Sequence, residues 1–232
     1  MKAMVLAAGL GTRLRPLTND RPKALVEVAG RTLLEITLTR LKEFGVREAI
    51  VNTHHFAEMI PAYLAKHDHF GMRIEISHEN VLLDTGGGLK KAAWFFEDSA
   101  EPFLLHNVDV ISTIDLHRMA QFHQQQGALA TMATQDRKTS RPLLFDEEGR
   151  LRARADKAPP PEGMQPLAFA GIHVISPRIF SEMSETGVFS IIDAYLRLSS
   201  LGEKVIAFRA DEYQWRDLGK PENVLEAARE LK

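Results

Sequence analysis

The sequence predicts an α/β fold built on a mixed, mainly parallel sheet. Short apolar runs alternate with amphipathic stretches up to about residue 135, the pattern of strands buried between helical layers. The apolar run at 4–8, Met-Val-Leu-Ala-Ala, passes directly into Gly9, as a buried strand does when it ends in a loop. Beyond residue 135 the rhythm changes, and a small antiparallel insertion is expected there.

Residues 33–44 read as a helix, because Leu33, Ile36, Leu38, Leu41 and Phe44 share roughly one face and Gly45 stops it. Strands are expected at 49–52 and 73–77, with a helix at 57–65 between them. A helix at 89–96 and a strand at 103–106 follow, the strand ending in the polar cluster Asn107-Val108-Asp109. A helix at 116–126 and a strand at 129–134 continue the alternation. Apolar residues at 143–145 and 151, around Asp146-Glu147-Glu148-Gly149, suggest a hairpin. The loop Ala158-Pro159-Pro160-Pro161-Glu162-Gly163 is too short to link independent domains. A strand at 169–175, helices at 178–183 and 191–198, and strands at 205–208 and 213–216 lead to a closing helix at 221–231, with Pro221 in its first turn. There is no internal repeat, so one domain spanning 1–232 is expected.

The chain has 232 residues, 44% hydrophobic and 26% charged, the balance of an ordinary globular protein. Its formal net charge of −2 offers no electrostatic footprint for nucleic acid. The lack of cysteine excludes disulfides and thiolate metal sites and fits a reducing cytoplasm, the expected compartment. Gly9 and Arg13 interrupt the first apolar run too early for a signal peptide. No segment approaches the ~20 apolar residues of a membrane span. Neither a nucleic acid nor a membrane is an expected partner, and a monomer and a dimer both remain open.

The stretch Leu6-Ala7-Ala8-Gly9-Leu10-Gly11-Thr12-Arg13-Leu14-Arg15-Pro16 carries the most chemical information. Glycines after a strand let backbone N–H groups approach a polyanion, and arginine presents a fixed fork of donors to phosphate oxygens. No Gly-Lys-Ser/Thr follows, which excludes a Walker A loop, and the third glycine of a dinucleotide fingerprint is missing. A lone Gly-x-Gly is more often a tight turn. Here Thr12, Arg13 and the downstream Arg21-Pro22-Lys23-Ala24-Leu25 favour a phosphate site.

Together these segments resemble the signature of the sugar-phosphate nucleotidyltransferases. That resemblance implies a Rossmann-like, GT-A-like three-layer sandwich. It also implies that Ala7, Ala8, Gly9, Gly11, Thr12, Arg13 and Lys23 hold a nucleoside triphosphate. Asp84-Thr85-Gly86-Gly87-Gly88-Leu89 resembles the family's second glycine loop, which implies a nucleotide contact for Gly86 and Gly87, and Asn107 is placed with them. Trp215-Arg216-Asp217-Leu218-Gly219-Lys220-Pro221-Glu222 resembles a late family segment with an aspartate ahead of Gly-x-Pro-Glu. The resemblance implies that Asp109 and Asp217 hold Mg²⁺, an ion usually bound on phosphates through one or two carboxylates. Many relatives have Gly-Asp where this chain has Val108-Asp109. Arg13, Lys23, Asp109 and Asp217 are the expected catalytic set.

On the sugar side, Phe169-Ala170-Gly171-Ile172-His173 resembles the strand that ends under the sugar, which points to Gly171. Glu79 and Asp193 are further sugar-side candidates. Asp156-Lys157-Ala158-Pro159 is an imperfect match to a Glu-Lys-Pro segment, which makes Lys157 a candidate for the sugar phosphate. His54, His55, His67 and His69 form no ligand constellation and read as surface or structural residues.

The expected reaction joins a nucleoside triphosphate to a sugar 1-phosphate. Within the family the chain most resembles uridylyltransferases that use UTP and N-acetylmuramate 1-phosphate in cell-wall recycling. A mannose 1-phosphate guanylyltransferase is the nearest alternative, with thymidylyl- and phosphocholine cytidylyltransferases behind it. The sequence ends soon after Gly-x-Pro-Glu, so an appended acyltransferase is not expected. From other classes, a non-catalytic nucleotide-sugar sensor would be favoured by loss of the lysine or an aspartate, and all are present. A dinucleotide oxidoreductase would carry an acidic residue at the end of the second strand, where Asn52-Thr53 stands.

Overall fold

The computed structural model of the chain describes residues 1–155 and 159–230. The candidate Lys157 lies outside the described residues. β1 (Lys2–Leu6) runs through the middle of the sheet, with Ala3, Met4 and Val5 fully buried, as befits a strand covered on both faces. A minor ribbon of β2 (Glu27–Val28) and β3 (Arg31–Thr32) leads into α1 (Leu33–Glu43), which Thr32 caps by accepting the Glu35 N–H at 3.1 Å. Then come β4 (Glu48–Thr53), α2 (Met59–Lys66), β5 (Arg73–His78) and α3 (Asp84–Lys91). They are followed by β6 (Phe103–Asn107), β7 (Val110–Ser112), α4 (Leu116–Gln126) and β8 (Ala130–Gln135). The second half holds β9 (Leu143–Phe145), β10 (Leu151–Arg154), β11 (Gln165–Ile175), α5 (Ile179–Glu182) and α6 (Ile191–Ser200). It closes with β12 (Val205–Arg209), β13 (Trp215–Asp217) and α7 (Pro221–Glu230).

The described residues build a nine-stranded mixed sheet. Its parallel centre is β5-β4-β1-β6. β11 joins antiparallel to β6 and, along its length, to β9 and β8, while β12 lies parallel to β8. β9 and β10 form the expected antiparallel insertion. Side chains alternate across the sheet: Ala3, Val5, Ala49 and Val51 pack into one core with α1, α2, α4 and α7. Met4, Ile50, Phe103 and Leu105 pack into the other with α3 and α6. Helices cover both faces of the sheet, the three-layer α/β arrangement the sequence leads one to expect. Among the described residues no helix is long and apolar enough to cross a membrane.

Several elements differ from expectation, the β2–β3 ribbon among them. α3 begins at Asp84, five residues before the expected start at Leu89, so Gly86, Gly87 and Gly88 lie inside its first turns. β11 begins four residues earlier than expected. The short β7, which the sequence does not reveal, pairs antiparallel with β13.

Candidate active site

β1, β4 and β6 are parallel, so their carboxyl ends open on one edge, where open α/β sheets hold ligands. There Leu6 stands in register with Asn107. Asn52, buried near the end of β4, ties the neighbouring segments together. Its Oδ1 accepts the N–H of Ala7 at 2.6 Å and of Ala8 at 3.2 Å, and its Nδ2 donates to Glu79 Oε1 at 2.8 Å. Glu79 Oε2 in turn accepts the N–H of Leu83 at 2.9 Å, just ahead of α3. The amides of Ala7 and Ala8 are therefore held by Asn52.

Beyond Ala8 the chain turns back on itself. Gly11 has φ +63°, and a Cβ there would lie 2.9 Å from Thr18 Cγ2 and 3.2 Å from Lys23 Cβ. Only glycine passes so close in that conformation. Thr18 Oγ1 donates to the Gly11 carbonyl at 2.9 Å, and Leu14 anchors the loop in the core. Gly9, Thr12 and Arg13 remain exposed. Lys23 emerges from a short turn at Lys23–Leu25 and hydrogen-bonds Asp109 Oδ2, with both side chains largely buried.

Asp109 and Asp217, 108 positions apart in the sequence, meet because β7 and β13 pair, with Val110 opposite Asp217. The Asp109 carbonyl accepts the Leu218 N–H at 2.8 Å, closing the same ladder. Burial and the adjacent Asp109 push the Asp217 carboxyl above the usual carboxylate range, against the pull of the Gly219 N–H, Lys23 and Arg13. A Cβ on Gly219 would lie 2.7 Å from Asp217 Oδ1 and 2.8 Å from Arg13 Nη2, so the glycine lets Arg13 approach Asp217. The expected catalytic set Arg13, Lys23, Asp109 and Asp217 thus converges at one point.

Two cavities flank that point. One, of about 430 Å³, is lined by Gly9, Lys23, Asn52, Glu79, Asp84 and Thr85 among others. The second, of about 490 Å³, is lined by Arg137, Arg141, Phe169, Gly171, Trp215 and Asp217 among others. Arg13, Asn107 and Asp109 line both. Glu79 and Gly171, both sugar-side candidates, fall in different cavities. Asp193 lines neither; it sits in the first turn of α6 and pairs with Arg154 at 2.5 Å on the exposed surface.

Gly86 and Gly87 also line neither cavity, and their N–H groups donate to the Phe189 carbonyl at 3.0 and 3.2 Å. These two amides are thus taken up in a contact with the 187–191 segment. A Cβ on Gly86 would lie 2.4 Å from the Phe189 ring, and one on Gly87 2.3 Å from the Gly187 carbonyl. A Cβ on Gly88 would meet Glu79 Oε1 at 2.7 Å. The three glycines let the 187–191 segment and the Asn52–Glu79 pair close onto α3.

Sequence reasoning missed Arg137 and its support. The guanidinium stacks 3.6 Å above the Trp215 ring, its Nη2 donates to the Phe169 carbonyl at 2.9 Å, and its buried Nε has no hydrogen-bond partner. Trp215 Nε1 donates to the Ala170 carbonyl at 2.7 Å. The β11–β8 register slips between Phe169 and His173, where Gly171 has φ +76°, and this bulge leaves both carbonyls for the two side chains. A Cβ on Gly171 would strike Val110 Cγ2 at 2.7 Å and Asn107 Nδ2 at 3.0 Å. The only sequence signal for Arg137 is the charged run Asp136-Arg137-Lys138 after a strand, which reads equally well as a solvated turn.

A model of the family described as nucleotidyl transferase matches residues 2–232. The chain is 36% identical to N-acetylmuramate alpha-1-phosphate uridylyltransferase of Caulobacter vibrioides, over 99% of this chain and 96% of the relative. It is 30% identical to the mannose-1-phosphate guanylyltransferase catalytic subunit beta of Danio rerio, over 97% of this chain and 63% of that protein. A UDP-glucose pyrophosphorylase solved with UDP-glucose superposes with TM-score 0.82 at 20% identity, over 99% of this chain and 97% of the other. HddC from Yersinia pseudotuberculosis, complexed with GMP-PN, superposes with TM-score 0.79 at 23% identity, over 100% and 99% of the two chains; these two likenesses speak for the fold. With the family matched along almost the entire chain, the protein belongs to the nucleotidyl transferase family.

Proposed function

We propose that the chain transfers a uridylyl group from UTP to N-acetylmuramate 1-phosphate, releasing pyrophosphate and forming UDP-N-acetylmuramate. The observation that carries this reading is the pair of cavities sharing Arg13, Asn107 and Asp109. Two substrates that react at a common phosphate need two pockets with a common wall. The triphosphate belongs in the cavity beside Gly9 and Lys23, and the sugar 1-phosphate in the cavity over Gly171 and Trp215. The 36% identity to the Caulobacter uridylyltransferase, along both chains, supports this choice of substrates. A role in peptidoglycan recycling in the cytoplasm follows from that choice.

No side-chain nucleophile is required, because the sugar phosphate is already ionised at neutral pH. Its oxygen forms a bond to the α-phosphorus, the bond from that phosphorus to the bridging oxygen breaks, and pyrophosphate leaves with the electron pair. Lys23, aimed at Asp109, lies where it neutralises the reacting phosphates. Arg13 lies beside Asp217 and faces both cavities, placed to hold phosphate oxygens in line. Among the described residues no cluster of three or more His, Cys, Asp or Glu could hold a metal. Asp109 and Asp217 form a two-carboxylate oxygen set, which fits Mg²⁺ completed by phosphate and water oxygens. Bound there, Mg²⁺ would offset the charge at the α-phosphate.

The test is pyrophosphate release with Mg²⁺, pairing UTP, GTP, CTP and dTTP with a panel of sugar 1-phosphates. UTP with N-acetylmuramate 1-phosphate is expected to give the highest kcat/KM. Turnover confined to GTP with mannose 1-phosphate would overturn the substrate assignment, and silence across the panel would favour a nucleotide-sugar sensor.

A further inference from the structure

The second cavity carries more positive charge than a sugar 1-phosphate needs. A single phosphate is served at the junction by Arg13, Lys23 and the two aspartates. Yet the loop after β8 adds Arg137, Thr139, Ser140 and Arg141 to the lining of the same cavity. Asp217 and Asp109 are the carboxylates among the lining residues, and both stand at the junction.

The two arginines differ in kind. Arg137 is fixed by its stack on Trp215 and its bond to the Phe169 carbonyl. Burial lowers its pKa, opposed by the attraction of Asp217, but arginine stays charged throughout the working range. Its buried Nε lacks a partner. Arg141 is exposed, and its side chain makes no hydrogen bond or ion pair among the described residues; its backbone N–H donates to Thr139 Oγ1 at 3.2 Å and shapes the turn. A fixed guanidinium, a second one without a side-chain partner among the described residues, and two hydroxyls thus line the cavity, and Asp136 of the same loop is not among the lining residues. That is the chemistry of an anion site.

We propose that Arg137, Thr139, Ser140 and Arg141 form a subsite for a carboxylate carried by the sugar, with Arg141 as the residue that selects it. The inference rests on the proposed reaction and deepens it. N-acetylmuramate differs from N-acetylglucosamine by a lactyl ether that ends in a carboxylate. With the 1-phosphate held at the Asp109–Asp217 junction, the sugar lies across Gly171 and its carboxylate reaches the arginine loop. Neutral sugars would leave these guanidiniums without a partner, so the subsite separates acidic from neutral sugar phosphates.

The experiment compares kcat/KM for N-acetylmuramate 1-phosphate and N-acetylglucosamine 1-phosphate, each with UTP and Mg²⁺. It uses the wild type, Arg141→Met, Arg141→Lys and Lys138→Met. In the wild type the ratio should favour the acidic sugar. Arg141→Met should lower that ratio at least about tenfold, the scale of one lost charge-assisted hydrogen bond, through KM for the acidic sugar. Arg141→Lys should restore part of it. Lys138→Met should leave the ratio unchanged, because Lys138 does not line the cavity. An unchanged ratio in Arg141→Met, with both sugars equally impaired or equally unaffected, overturns the subsite while leaving the proposed reaction standing. An equal drop in Lys138→Met also overturns it, since the loop's general charge would then be responsible. A wild type inactive on N-acetylmuramate 1-phosphate overturns both the reaction and the subsite, and that outcome is visible before any variant is made.

Discussion

Asn52 holds the Ala7 N–H at 2.6 Å, and through this bond β4 fixes the point where β1 passes into the glycine loop. The same side chain donates to Glu79, which anchors the start of α3. Asn52→Ala leaves two amides and a fully buried carboxylate without this partner. The expected loss is about 2 kcal/mol of stability, read from urea unfolding, with a raised KM for the nucleotide. A variant with the wild-type midpoint and KM would show that the bridge has no such role.

Gly87→Ala tests the packing of the second glycine run. The new methyl would meet the Gly187 backbone carbonyl at 2.3 Å, which a rotamer change cannot relieve. We expect a stability loss of about 2 kcal/mol, although alanine has the better intrinsic helix propensity. If the variant were more stable than wild type, propensity would outweigh packing here.

Lys23→Met should separate charge balance from packing. It removes the cation beside Asp109 and Asp217, so the raised Asp217 carboxyl moves further up. A carboxyl raised in the folded state binds more protons there than in the unfolded chain. Stability is therefore lost as pH rises from about 4, the unfolded value, through the folded pKa. Unfolding midpoints of Lys23→Met should fall further below wild type at pH 7 than at pH 4, and turnover should drop by about 100-fold or more. A stability difference independent of pH would contradict this electrostatic account.

Acid should destabilise the protein through its interior histidines. Burial depresses His106 to about 4, and burial with His106 nearby depresses His173 to about 3. His106 donates through Nδ1 to the Asn107 carbonyl at 2.8 Å, and its Nε2 has no partner. Below the unfolded value near 6.5 the unfolded chain takes up these protons first, so stability falls with pH down to the folded values. Each histidine contributes up to about 1.4 kcal/mol per pH unit in that window. His106→Phe should therefore show a shallower decline in unfolding free energy from pH 6 to 5. An equal slope in variant and wild type would rule out His106 as a contributor.

Most of the parallel core is legible in the sequence because β1, β4 and β6 carry apolar runs, β5 alternates Ile74 and Ile76 with polar residues, and helices such as α1 and α4 keep one apolar face. Residues 116–126, for example, carry Leu116, Met119 and Ala120 on the buried side of α4. β7 is hidden because three residues following Asp109 form no periodic pattern, yet this strand brings Asp217 to Asp109. The glycine run 86–88 reads as a loop because its reason for being helical lies at Phe189 and Gly187, a hundred residues away. Arg13, Lys23, Asp109 and Asp217 are recoverable because their order and spacing resemble a family signature. Arg137 is not, since its meaning depends on a bulge in β11 that frees the Phe169 carbonyl.

The central claim is that Asp109 and Asp217 act together on a phosphate shared by two substrates. Its most direct test is pyrophosphate release from UTP and N-acetylmuramate 1-phosphate by wild type, Asp109→Asn and Asp217→Asn, each confirmed folded by circular dichroism. The account predicts turnover in the wild type and a loss of at least about 100-fold in each variant. Wild-type rates in both folded variants would contradict it.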